Sequence, residues 1–346
     1  MNKSNKMWLL MFTAQILFYQ CSLLIGPDPK NTPVNNFEIF WKDFDHHYAL
    51  FEVKHVNWDS LYHVYRPQVS DNISDKQLFD ILSNLIAPLN DRHITLKGIG
   101  KKYVSGSNSN EKINPYSLRI IKRKYLKTYS IAGNGFFIYG HLNDSTGYVH
   151  ISSFNNTEGG FANNVNDWAK DIEKIVKTFS NTHRLIIDVR GNGGGSPANC
   201  EHIASRFFDQ KRGYLYTRYR NGPKHDDLTE AHLSSINPDG SFHFKGEIKL
   251  LTSGNTASAA ERFALAMKVL PYVTQVGDTT RGIFASQIER DLLNGWLYSI
   301  THSIQTSTDN ICYEGKGIPP NLYVVNSDND IANQIDNVLE AALNSF

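Results

Sequence analysis

A serine hydroxyl is a weak nucleophile until a nearby base takes its proton. Ser258 lies in Leu250-Leu-Thr-Ser-Gly-Asn-Thr-Ala-Ser-Ala-Ala-Glu261, where an apolar run breaks into a turn and a helix begins near Ala257 or Ser258. A hydroxyl at a helix N-terminus sits where the backbone dipole favours developing negative charge, and small alanines beside it let a substrate backbone approach. A purely structural role is equally legible, since Ser258 followed by Glu261 fits a capping box. His93, in Leu89-Asn-Asp-Arg-His-Ile-Thr-Leu96, is a candidate base. Glu314, in Tyr313-Glu-Gly-Lys-Gly-Ile-Pro-Pro320, could orient an imidazole. A fourth element is Asp188-Val-Arg-Gly-Asn-Gly-Gly-Gly-Ser196, whose glycines free the backbone to turn and expose N–H groups to an anion or oxyanion. It lacks the Gly-Lys-Ser/Thr of a phosphate loop and breaks the dinucleotide pattern.

The elements that must position these residues follow from periodicity. Phe37, Phe40, Trp41, Phe44 and Tyr48 recur at helical spacing, a short amphipathic piece covers 58–65, and Leu78 to Leu89 mark a third helix with Asp75 as its N-cap. Residues 36–96 therefore read as an N-terminal helical domain. Residues 97–146 read as a connecting segment, a loop over 97–114 followed by strands at 118–121 and 135–139. In 147–346 strands alternate with helices, which argues an α/β core. Its marks are strands at 147–154, 184–189, 214–219, 247–252 and 272–276, a long helix from Phe161 to Phe179, a helix near 198–208, another over 257–270, a hairpin around Asn294-Gly295, and a closing helix capped by Asp330.

Composition limits the alternatives. Of 346 residues, 40% are apolar and 20% charged, enough for a packed core. Lys+Arg number 35 and Asp+Glu 34, so no global charge favours nucleic acid. Three cysteines, Cys21, Cys200 and Cys312, exclude a disulfide-rich scaffold. His46-His47 have no third ligand at metal-site spacing and read as exposed helix residues, so neither a metal nor an organic cofactor is expected.

Lys3 and Lys6 precede an apolar run from Met7 to Tyr19, short for a membrane span and suited to a signal-peptide core. The expectation is a signal peptide over 1–20, a linker over 21–35 and export to the periplasm or cell envelope, with Cys21 as a lipid-attachment residue that would anchor the chain to a membrane surface. Tyr19 and Gln20 stand where such signals carry small residues. Cleavage before Cys21 leaves Cys200 and Cys312, free or paired.

Taken in order, Asp91-Arg-His93, the 188–196 glycine turn, Thr256-Ala-Ser-Ala-Ala-Glu261, Gly277-Asp-Thr-Thr-Arg-Gly282 and Glu314-Gly-Lys-Gly-Ile-Pro-Pro320 resemble the S41 serine peptidases, the C-terminal processing proteases and the tricorn core. The resemblance spans about 36–326. It implies a crotonase/ClpP-like α/β core behind the helical bundle. The processing branch takes its base from a lysine in a Gly-Glu-Pro-Thr-x-Gly-Lys block. Here Ile283 holds that position, 25 residues after Ser258, and cannot accept a proton; Arg281 stays protonated. The tricorn-like branch uses Ser, His, a second Ser beside the His, and Glu. His93 and Glu314 match it, and Arg92 stands in the second serine's place. Residues 97–146 are too few for the full PDZ domain of the processing branch.

The resemblance thus implies a serine peptidase acting on polypeptides through an acyl-enzyme. Ser258 would be the nucleophile, His93 the general base and Glu314 its orienting acid. The N–H groups of Ala259 and of Gly194 or Gly193 would receive the oxyanion. A catalytically inactive peptide-binding protein on the same fold is the rival reading, with Arg92 and Ile283 as marks of decay, and hydrolysis of a non-peptide ester or amide is a third.

Overall fold

The computed structural model describes residues 29–107, 114–157 and 164–346. The signal-peptide and Cys21 expectations, and the Phe161 start of a helix, lie outside the described residues.

The N-terminal layer is helical: α1 (Pro33–His47), α2 (Phe51–Lys54), α3 (Trp58–Tyr65) and α4 (Asp75–Ile86). In α1 the aromatic stripe Phe37, Phe40 and Phe44 is fully buried, as its 3–4 residue spacing requires. Ser74, not Asp75, caps α4: it forms a capping box with Gln77, and Asp75 takes the first helical position, where its charge suits the dipole. A four-stranded antiparallel sheet closes this layer. It comprises β1 (Thr95–Gly98), β2 (Lys101–Val104), β11 (Gln287–Asp291) and β12 (Leu297–Thr301), ordered β11-β12-β1-β2. One apolar cluster runs from α1 and α4 through Leu96 to Trp296, Tyr298 and Ile300, so the helices share their core with strands from the far end of the chain. The 97–114 loop of the sequence reading thus contains a paired edge strand. Lys101 and Lys102, exposed on it, hid its pattern.

The main sheet has seven strands: β3 (Tyr129–Ala132), β4 (Phe137–Asn143), β5 (Thr146–Ile151), β6 (Arg184–Asp188), β9 (Glu247–Thr252), β10 (Val273–Gly277) and β14 (Leu322–Tyr323). Their order is β14-β10-β9-β6-β5-β4-β3; the run from β14 to β5 is parallel and β4 and β3 are antiparallel. Between β6 and β9 lie β7 (Arg212–Tyr219) and β8 (His232–Ile236), which with β13 (Ser303–Ser307) form a three-stranded sheet. Leu185, Ile186 and Ile187 of β6 are fully buried, as expected of a strand covered on both faces. One face packs on α5 (Ile172–Thr178), α6 (Pro197–Ala204) and α7 (Ala259–Lys268) in the largest apolar cluster. The other packs on the C-terminal α8 (Asn337–Asn344) through Leu251, Val276, Val338 and Leu339.

Three local readings are corrected. Residues 118–125 form a helical turn and a wider helical segment rather than a strand, because Leu118, Ile121 and Tyr125 share a face against the third cluster. The long helix ending at 179 is interrupted at Asp171. Asp330 is the partner of the cap Ser327, and the closing helix is a separate one capped by Asp336. The described residues between 95 and 146 form a hairpin, the helical segment and two strands of the main sheet, and hold no PDZ module. The expected class, an α/β core with N-terminal helices, is the one observed. Among the described residues no helix is long and apolar enough to cross a membrane, and Cys200 and Cys312 are both free thiols.

Candidate active site

Parallel β6 and β9 are neighbours with Asp188 opposite Leu251, so both chains leave the sheet at one edge and their loops meet there. Each loop is stitched to the other. Thr256 Oγ1 donates to the Val189 carbonyl at 2.9 Å, Ser253 Oγ donates to the Arg190 carbonyl, and Ala257 N–H donates to the Asn192 carbonyl at 3.1 Å. Behind the glycine turn the Arg190 guanidinium is fully enclosed, paired with Asp188 at 2.7 Å and Asp336 at 2.8 Å. The three charges satisfy one another there, so the turn starts from a fixed point.

Ser258 enters α7 in a backbone conformation that L-residues rarely adopt, φ 54° and ψ −122°. Ser258 and Glu261 face each other as a capping box, and the Glu261 N–H also goes to the Ser258 carbonyl at 2.8 Å. The returning half of a capping box is present, with Ser258 N–H donating to Glu261 Oε2 at 3.1 Å. The capping-box alternative is therefore realised, and its backbone half ties Ser258 to the buried Glu261. Gly194, at φ +102°, faces this residue so closely that a Cβ on it would lie 2.8 Å from Ser258 Cβ and from Ala259 N. Glycine is required there on both counts.

Glu261 is buried and accepts four hydrogen bonds. Oε1 takes Thr280 Oγ1 and Gly282 N–H, each at 2.6 Å; Oε2 takes Ser258 N–H and Ile283 N–H at 2.7 Å. Burial raises its pKa to about 7 against the pull of those donors. Because one oxygen holds both Ser258 and Ile283, Ile283 stands beside the serine with no ionisable group. Arg281 turns to the Gly254 carbonyl at 2.7 Å and to Asn255 Oδ1 at 2.8 Å.

Next along the chain, Phe284 and Ala285 donate their N–H groups to Glu314 Oε2 at 2.8 and 3.1 Å. Glu314 is buried, and its pKa rises to about 8 through burial first and the nearby Asp91 second. Its Oε1 lies 3.8 Å from Lys54 Nζ, which donates to the Asn90 carbonyl at 3.0 Å. Asn90 opens the turn that carries His93. There Asp91, also buried, accepts His93 N–H at 2.9 Å and Tyr48 O–H at 3.2 Å. Ser299 of β12 holds the His93 carbonyl at 2.6 Å. The pKa of His93 is lowered chiefly by burial and also by Lys54, while Asp91 opposes the shift. Its Nδ1 is buried without a hydrogen-bond partner among the described residues.

A continuous polar chain therefore runs from Ser258 through Glu261, residues 283–285, Glu314 and Lys54 to the His93 turn. Within it no hydrogen bond joins His93 directly to Ser258 or Glu314 among the described residues. Arg92, beside His93, donates to the Gly106 carbonyl at 3.1 Å. Of the N–H groups expected to bind an oxyanion, that of Gly194 is engaged by Asn192 Oδ1 at 2.9 Å. Those of Gly193 and Ala259 enter no hydrogen bond among the described residues. Sequence reasoning missed Lys54, the anchoring role of Glu261 and the bracing role of Asn192. Asn192 carried a signal as an amide set among turn glycines, and Glu261 one through its capping-box spacing to Ser258.

A Gly-rich turn and a serine in a strained backbone conformation thus meet at the carboxyl edge of a parallel sheet, the edge at which α/β folds place their ligand sites. Residues 145–324 match the family model of peptidase family S41, and residues 29–87 match that of the tricorn protease C1 domain. The chain belongs to peptidase family S41. It is 30% identical over 196 residues to carboxy-terminal processing protease CtpB of Bacillus subtilis, a match covering 55% of this chain and 36% of CtpB. The chain thus spans little more than a third of the length of that relative. A crystal structure of a Parabacteroides merdae protein assigned as a peptidase superposes with a TM-score of 0.80 at 29% identity, covering 91% of this chain and 96% of the other. Mature CPAF complexed with lactacystin shares the fold with a TM-score of 0.68 at 12% identity, covering 91% of this chain and 97% of CPAF.

Proposed function

We propose that this chain is a serine peptidase that cleaves polypeptides through an acyl-enzyme. The observation that carries the reading is Ser258 itself: its backbone is held in a strained conformation at a helix N-terminus, packed against the Gly194 turn. Such strain persists where the surroundings over-determine it and clusters at reactive residues. Ser258 Oγ attacks the carbonyl carbon while His93 takes its proton; the imidazolium then protonates the leaving amine, and water, activated by the same base, releases the acyl group. A lowered imidazole pKa keeps His93 neutral, as a base must be at pH 7. Asp91 fixes the His93 turn and favours the charged imidazole that forms, and Glu314 completes the acidic side of the site. The N–H of Ala259 and that of Gly193 are the donors for the oxyanion, since Gly194 has given its own to Asn192.

Ser258→Ala should abolish both peptide hydrolysis and labelling by a fluorophosphonate without changing the circular dichroism spectrum. Undiminished hydrolysis by that variant would remove Ser258 from the mechanism. Failure of the wild-type chain to label at all would favour a peptide-binding role. We further infer export, supported by Lys3, Lys6 and the Met7–Tyr19 run, with Cys21 as acyl acceptor. The intact mass of the mature N-terminus tests it.

A further inference from the structure

Lys54 ends the single-turn helix α2, whose Phe51 is buried against Tyr48 and Trp58, with ring centroids 4.7 and 5.4 Å away. Residues three apart on a helix share a face, so seating Phe51 in that aromatic cluster aims Lys54 the same way. The lysine side chain is only 10% exposed and that of Glu314 only 2%, which separates the pair from ordinary surface ion pairs. Nζ reaches two loops at once, the Asn90 carbonyl at 3.0 Å and Glu314 Oε1 at 3.8 Å. It also lies 3.2 Å from where a Cβ of Gly315 would stand, and Gly315 adopts φ +73°.

We propose that Lys54 is a positioning residue for the peptidase reaction, bridging the His93 turn and the Glu314 loop so that the N-terminal layer holds the base in register with the nucleophile's side of the site. The inference rests on the reading of His93 and Ser258 given above. The charged and titratable groups around it are Glu314 and Asp91, Tyr48 from the end of α1, His93, and Cys312 with Lys316 on the Glu314 loop. Lys54 is the cation that faces the buried Glu314 carboxyl, and it lowers the pKa of both Glu314 and His93. Removing its charge loosens the tie between the loops and lets the imidazole hold its proton to higher pH.

The test compares Lys54→Met, which keeps most of the stem, with Lys54→Arg, which keeps the charge, in the full chain. Lys54→Met should lower kcat by about 10- to 100-fold with KM little changed, as misplacement of a catalytic group does. It should also move the acidic limb of the kcat/KM profile upward, and Lys54→Arg should recover part of both. The His93 titration, followed by NMR in the Ser258→Ala background, should rise in Lys54→Met; this readout does not depend on turnover. If Lys54→Met does not fold, Lys54→Gln, which retains a donor for the Asn90 carbonyl, takes its place. A folded uncharged variant with wild-type kcat, pH profile and His93 titration overturns the proposal. A shifted His93 titration in a chain whose Ser258→Ala variant still hydrolyses peptide keeps the Lys54 bridge and refutes the assignment of Ser258 as nucleophile instead.

Discussion

The strain at Ser258 can be measured apart from its chemistry. Ser258→Ala and Ser258→Gly both remove the hydroxyl, so both should be inactive. They differ in one carbon. Alanine keeps a Cβ at φ 54°, ψ −122°; glycine relieves it. A non-glycine residue in such a region costs on the order of 1–3 kcal/mol. Against this, glycine gives the unfolded chain more conformational freedom, about 0.4–1 kcal/mol. The Cβ also packs against Gly194, so its removal gives back a little contact. The balance leaves the glycine variant more stable than the alanine variant by about 1 kcal/mol, roughly 1–2 °C in Tm for a chain of 346 residues. Urea denaturation and thermal melts of the two variants, at matched m-value, provide the comparison. A glycine variant less stable than the alanine variant would show that the serine backbone is relaxed, and the observation carrying the functional proposal would go with it.

Two further outcomes follow from the buried carboxyls. In Glu261→Gln one of the two oxygens becomes an amide N–H₂ aimed at two donors, whichever way the amide turns. Two orphaned buried donors should cost about 2–6 kcal/mol, read as a lower Tm at pH 8 together with lost fluorophosphonate labelling; unchanged stability would mean that the four contacts carry no weight. Glu261 and Glu314, raised to about 7 and about 8, bind protons in the folded chain at pH values where the unfolded chain has released them. Their ionisation therefore costs stability as pH rises from the ordinary carboxyl range through 8. The buried imidazoles of His93 and His150, with lowered pKa, act the other way and cost stability as pH falls through about 6.5. Urea melts should show stability declining between pH 6.5 and 8.5, and a rise over that interval would contradict the raised carboxyl values.

Much of this organisation was legible where local physics and tertiary structure agree. The aromatic stripe of α1, the apolar run of β6 and the glycines of the 188–196 turn each carry a pattern set by burial or backbone geometry, and each is seen in the structure. Residues 118–125 misled because isoleucines suit a strand by propensity, while the helical face they share is recognised only once its apolar cover is known. Edge strand β2 was invisible since two exposed lysines erase alternation. Lys54 could not have been singled out: it is one of many lysines, and its importance comes from loops 36 and 260 residues away. The same holds for Glu261, whose spacing to Ser258 suggested a cap and whose partners Thr280, Gly282 and Ile283 arrive from the next strand's loop.

The proposed partnership between Ser258 and a base from the N-terminal half draws its support from what stands next to the serine. Glu261 Oε2 grips Ser258 and Ile283 together, so residue 283 has the place from which a side chain could reach the hydroxyl. Isoleucine offers no proton acceptor. Glu261 itself is occupied by four donors, and Arg281 is committed to the Gly254 carbonyl and the Asn255 amide. On the proposed reading, the serine is activated by an imidazole brought across from another element. The loop after β10 supplies the route, because residues 284 and 285 grip Glu314, Glu314 faces Lys54, and Lys54 holds the turn of His93. The aromatic core that the N-terminal helices share with β11 and β12 fixes the far end of that route. On this account the helical layer does more than stabilise the chain: without it the base has no fixed position relative to the hydroxyl.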